Sequence, residues 1–129
     1  MLLNFFDAQI PAGFPSPSSD EYVQHSLDLH AFLVKHPAAT FFVRVVGDSM
    51  QGAGIHSGDL LIVDRSLTAE NGKIVVALID GEFTVKRLKI EREALYLVPE
   101  NPAYSPIRVQ PHSDFQVWGV VTYVIHCVG

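Results

Sequence analysis

From Phe41 to Val128 the chain is written almost entirely in short apolar runs cut by Gly, Pro, Asn and Asp, a pattern that specifies strands. The runs are FFVRVV (41–46), LLIV (60–63), KIVVALI (73–79), EFTVKRLKI (82–90), LYLV (95–98) and FQVWGVVTYVIHCV (115–128). Asp80-Gly81 stands between two of them and has the chemistry of a two-residue type I′ hairpin turn, whose central positions both need positive φ. In that register Ile79 faces Glu82, Ala77 faces Thr84 and Val75 faces Lys86. Alternation puts Val76, Leu78, Phe83 and Val85 on one face, the expected core, and Lys86 on the other with Val75, Ala77 and Thr84. No carboxylate stands across from that ammonium, so anything covering the face would desolvate it and lower its pKa.

The segment before these runs reads differently. In residues 20–40, Asp28 is placed to cap a short helix over Leu29, Phe32 and Leu33, which Pro37 stops. Residues 1–19 read as a flexible arm, with an apolar tip (Leu2, Leu3, Phe5, Phe6) followed by the hinge PAGFPSPSS (11–19). Its prolines and glycine neither propagate a helix nor pair in a central strand. The expected organisation is therefore an arm, 1–19, on a mainly β domain, 20–129.

A chain of 129 residues suffices for one domain with a true core. Its net charge of −5 argues against direct, sequence-specific DNA binding, which calls for a basic patch. Cys127 is the one cysteine, which rules out a disulfide framework or a Cys-based zinc site and fits a reducing compartment. The N-terminal apolar run is too short for a signal peptide, and no run of about 18 apolar residues occurs, so a soluble cytoplasmic protein without membrane contact is expected. The six histidines lack His-x-x-x-His spacing, so neither a metal nor another cofactor is expected. Asp59 and Asp64, on either side of LLIV, read as turn and strand-end carboxylates in water.

One loop carries candidate chemistry. VVGDSMQGAG (45–54) follows the first strong strand and presents Ser49 in a loop opened by Gly47. Such a serine is most often only a turn hydroxyl, and a nucleophile needs a base. The α/β-hydrolase elbow requires glycine two positions on, where Gln51 stands. Lipases of the Gly-Asp-Ser type share only Gly47-Asp48-Ser49 and need a C-terminal Asp-x-x-His pair that is missing here. A serine–lysine dyad remains, in which a lysine of ordinary pKa about 10.4 must drop by roughly three units to act as base near neutrality. Lys86 is the lysine whose strand position offers this; Lys35 ends the helix, Lys73 adjoins a turn and Lys89 lies near a strand end. Gly52, Gly54 and Gly58 imitate a phosphate loop at the wrong spacing and without a following helix.

Taken together, GFPSP (13–17), GDSM (47–50), SGDLLIVD (57–64), DGEFTVKRL (80–88), AYSPI (103–107) and GVV (119–121) resemble, in order, the LexA/UmuD group of self-cleaving serine–lysine proteases. The resemblance implies the group's curled, mainly β catalytic domain of β-clip type. It implies Ser49 as nucleophile, Lys86 as base, the backbone amides of Ser49 and Asp48 as oxyanion donors, and Ala12–Gly13 as the scissile bond. Self-cleavage would remove residues 1–12, stimulated by the RecA–single-stranded DNA filament of the SOS response. The trimmed homodimer would then join a UmuC-like Y-family DNA polymerase in error-prone translesion synthesis. Repressors of the group carry an N-terminal DNA-binding domain; with twelve residues before the bond and an acidic balance, this chain is not expected to be one. The competing expectation is a polymerase-binding dimer module whose protease is vestigial. The presence of Ser49, Lys86 and a cleavable Ala–Gly bond in one chain favours the active enzyme.

Overall fold

The computed structural model describes residues 1–15, 17 and 23–129. The chain divides into two compact units, Met1–Lys35 and His36–Gly129; the boundary expected between residues 19 and 20 lies outside the described residues. The architecture is the mainly β one expected, with one short α-helix among the described residues.

In the first unit, β1 (Leu2–Asp7) pairs antiparallel with β2 (Val23–Asp28), from Leu2 opposite Asp28 to Asp7 opposite Val23. The apolar tip, expected as part of a flexible arm, forms a strand. Its alternation is blurred, with Leu2, Leu3 and Phe6 all exposed, and its partner lies far along the chain. Phe5 is half-buried, its ring 4.8 Å from that of His25. Asp28 caps α1 (Leu29–Leu33), its carboxylate accepting from the Ala31 amide at 3.2 Å.

The second unit is built on a seven-stranded antiparallel sheet. In chain order its strands are β3 (Thr40–Arg44), β4 (Leu60–Asp64), β5 (Ile74–Ile79), β6 (Glu82–Ile90), β7 (Leu95–Val98), β8 (Ile107–Arg108) and β9 (Phe115–Ile125). In space they run β3-β4-β9-β5-β6-β7-β8. The β5–β6 hairpin has the register read from Asp80-Gly81, with Ile79 opposite Glu82 and Val75 opposite Lys86, and both turn residues adopt positive φ. The two-residue β8 has too little pattern to be read from sequence.

Long β9 lies between β4 and β5, and its register slips once against each. Such irregularities sharpen local twist. Gly119 belongs here for a steric reason: a Cβ on it would lie 2.6 Å from Val63 Cγ1. With β9 on one side and β6 on the other, β5 has a core on each face. Val76 joins Val45, Met50, Ile55, Leu61 and Val63, whereas Val75 and Ala77 join Leu88, Leu97 and Val120.

This corrects the single core face expected from the hairpin. Val76 is buried as expected and Val85 packs against the first cluster, but Leu78 is half-buried and Phe83 is 64% exposed. Phe83 sits at the hairpin tip, where its ring meets the edge of Trp118 instead of entering the core. The two aspartates around β4 also depart from expectation. Asp59 and Asp64 are 3% and 4% exposed, each with an imidazole beside it: His126 Nδ1 lies 2.6 Å from Asp59 Oδ1, and His36 Nδ1 lies 2.6 Å from Asp64 Oδ2. A carboxylate leaves water at tolerable cost only with such partners. The hydrogen bonds from the His56 amide and from His126 hold the Asp59 carboxyl below its ordinary pKa.

Candidate active site

Beyond β3 the chain is tied down before it reaches Ser49. The Val45 amide donates to Asp59 O at 2.9 Å, and the Gly58 amide returns a bond to Val45 O at 2.8 Å. Gly47 turns the chain with φ +101°, a value that favours glycine, while its amide donates to Ser57 Oγ at 3.1 Å. Met50 is then driven into the first core cluster, 2% exposed, which anchors the residue after Ser49. A 3-10 turn over Gln51–Ala53 closes the loop.

The segment after β7 holds the loop from its other side. The Glu100 amide donates to Ser49 O at 2.9 Å, and the Gly52 amide donates to Glu100 O at 2.7 Å. Arg87 Nε pairs with the Glu100 carboxylate. Asn101 Nδ2 donates to Asp48 O at 2.9 Å, and the Tyr104 hydroxyl donates to Asp48 Oδ1 at 2.5 Å. That carboxylate raises the Tyr104 pKa above its ordinary value.

Across from this loop, β6 delivers Lys86, which is 8% exposed. Its Nζ lies 2.9 Å from Ser49 Oγ, 2.7 Å from Thr84 Oγ1 and 3.1 Å from Val85 O. None of the ion pairs among the described residues involves it. Desolvation by burial lowers its pKa, as an uncompensated ammonium in this setting requires. Ser49 and Lys86 open onto a cavity of about 460 Å³, with Val46, Met50, Phe83 and Trp118 in its wall. The amides of Asp48 and Ser49 donate to no acceptor among the described residues. Ala12 and Gly13 are exposed, in a bend over residues 12–14.

The structure thus brings Ser49 and Lys86 together across 37 positions of sequence. Thr84 was legible only as a neighbour of Lys86 on its strand face, and the hydroxyl contact adds a polar partner for the amine. Asn101, Tyr104 and Glu100 carry no sequence signal for their part in holding the loop, because their partners are mostly backbone atoms some 50 residues away.

The chain is similar in sequence to several known proteins. The chain is 50% identical to protein SamA of Salmonella typhimurium over 121 residues, covering 94% of this chain and 83% of that protein. It is 48% identical to protein MucA of Escherichia coli over 120 residues, 92% of this chain and 81% of the relative. A LexA repressor of Oleidesulfovibrio alaskensis is 54% identical over 81 residues, 63% of this chain but only 39% of the repressor. The resemblance read from the motifs is borne out. The profile described as Peptidase S24-like matches residues 4–122, and the chain belongs to that family.

Proposed function

We propose that the protein is a self-cleaving endopeptidase of the SOS DNA-damage response, with Ser49 as nucleophile, Lys86 as general base and Ala12–Gly13 as the bond cut. The observation that carries this reading is a buried amine, with no carboxylate partner among the described residues, 2.9 Å from a loop hydroxyl. In its neutral form the amine keeps two N–H bonds, which suit Thr84 Oγ1 and Val85 O. Its lone pair then accepts the Ser49 proton. Ser49 Oγ attacks the Ala12 carbonyl carbon, and the free amides of Ser49 and Asp48 stabilise the oxyanion. As the C–N bond breaks, Lys86 passes the proton to the departing Gly13 amine. Water, deprotonated by the regenerated neutral Lys86, then hydrolyses the Ala12 ester.

A Cβ on Gly13 would meet nothing within 4 Å, so its resting backbone does not demand glycine. The absence of a side chain at Gly13 suits close approach to an active site instead. Removal of residues 1–12, stimulated by the RecA–single-stranded DNA filament, yields the form that acts as a homodimer with a UmuC-like Y-family polymerase.

Incubation of the purified chain near pH 10, where more Lys86 is neutral, tests the chemistry by mass spectrometry. Wild type loses residues 1–12, whereas Ser49→Ala and Lys86→Ala slow the loss by on the order of 10³-fold or more. Cleavage of Ser49→Ala at the wild-type rate would refute the mechanism. For the partner, a chain beginning at Gly13 co-purifies with the polymerase better than the uncleavable chain does; equal recovery removes cleavage as the switch.

A further inference from the structure

A second cluster of reactive side chains lies in the same unit, at the end of the sheet where β4 begins and β9 stops. Leu60 pairs with Ile125 there, so one step further along the ladder Asp59 meets His126. The turn before β4, bent at Gly58 with φ +94°, brings His56 onto the same carboxylate. Its amide donates to Asp59 Oδ2 at 2.8 Å, and its Nδ1 lies 3.8 Å from that oxygen. The imidazoles of His56 and His126 stand 5.0 Å apart, centre to centre, tilted by 42°.

The carboxylate is well supplied with donors, but one nitrogen is not. His56 Nδ1 is closed off from solvent and has no hydrogen-bond partner among the described residues, although the remainder of its ring is open to water. A buried polar atom left in this condition calls for an explanation, and an unfilled ligand position is one. One donor atom from each of His56, Asp59 and His126 lies within 4.8 Å of the other two. Donors at about 2.0–2.1 Å from a tetrahedral zinc ion stand roughly 3.3 Å apart, so modest side-chain movement closes the set around one ion.

We propose that His56, Asp59 and His126 form a binding site for a first-row divalent metal ion of the zinc class. Two imidazoles with one carboxylate favour zinc over magnesium or calcium, which prefer all-oxygen shells. The half-exposed rings leave the fourth position to water. Bound metal would clasp the 55–59 turn to the end of β9. That same turn holds Val45 and Gly47, just ahead of Ser49.

The test is calorimetric titration of zinc chloride into the full chain carrying Ser49→Ala, which prevents cleavage, and Cys127→Ser, which removes the neighbouring thiol. The expected result is one saturable equivalent, with affinity lowered on the order of 100-fold or more by His56→Ala or His126→Ala. Should either variant fold poorly, imidazole NMR of the parent chain replaces it: zinc shifts the His56 and His126 signals ahead of those of the other four histidines. No saturable binding, binding that survives both substitutions, or signals that move first at other histidines overturns the proposal.

Discussion

An ammonium taken out of water without a counter-ion destabilises the fold that buries it, and Lys86, which has no ion-pair partner among the described residues, is in that position. Its pKa lies below 10.5 when folded and returns to that value when the chain unfolds. Between the two values the unfolded chain binds more protons, so stability rises with pH through this window. Below the folded pKa both states are protonated and the penalty applies in full. Lys86→Met removes the titration while keeping much of the apolar stem. In a Ser49→Ala background, the unfolding free energy of the lysine form should gain on that of the methionine form as pH rises from 7 to about 10.5. Denaturant unfolding at each pH measures the difference. A gap that stays constant or moves the other way would mean that Lys86 is not desolvated. Under the proposed mechanism the same proton that destabilises the fold must leave before Lys86 can serve Ser49, so stability and self-cleavage should rise together with pH.

At the scale of elements, the position of Ser49 depends on contacts that fasten its loop to the segment after β7. Gly52 is the tightest of these: a Cβ there would lie 2.6 Å from the Glu100 carbonyl oxygen, which is backbone and has little freedom to move. Gly52→Ala must push Glu100 or the loop aside, and Glu100 holds Ser49 O. A displacement approaching 1 Å at a reacting group costs about 100-fold in rate, whereas the strain costs stability only about 1–3 kcal/mol. Self-cleavage at pH 10 should therefore fall far more than the unfolding midpoint does; a rate change no larger than the stability loss explains would contradict this. Elements of this kind also mark the limit of what the sequence discloses. The β5–β6 hairpin was legible to the residue because Asp80-Gly81 acts locally, and the capped helix was legible because Asp28 and Ala31 are neighbours along the chain. Lys86 could be singled out because a ladder partner is determined by counting from the turn. The Glu100, Asn101 and Tyr104 contacts could not be read, since they depend on tertiary placement and on backbone atoms common to every residue. Phe83 misled for a related reason: alternation identifies the face of a side chain but not whether the sheet extends far enough to cover it.

For the whole molecule, the consequence of the proposed cut after Ala12 turns on β1. That strand ends at Asp7, before the bond, while its partner β2 begins at Val23, beyond it. In the intact chain the intervening residues keep the two strands at high effective concentration, which favours pairing without any extra contact. Once the chain is cut, a two-stranded ribbon has only its own hydrogen bonds and side-chain pairs to hold it, and such ribbons are marginal in water. Much of its apolar surface gives little help, since Leu2, Leu3 and Phe6 are 67%, 44% and 53% exposed. The released peptide, residues 1–12, should therefore separate from the body on size exclusion at micromolar concentration. Amides of Val23–Asp28 should exchange with solvent faster in a chain beginning at Gly13 than in intact Ser49→Ala protein. If the peptide instead co-elutes and protection at β2 is unchanged, β1 remains docked after the cut and cleavage does not unmask β2. Loss of β1 leaves β2 without the strand it pairs with, and an unpaired strand edge is a ready template for another chain. A single backbone cut would then convert an internal ribbon into a surface available for association.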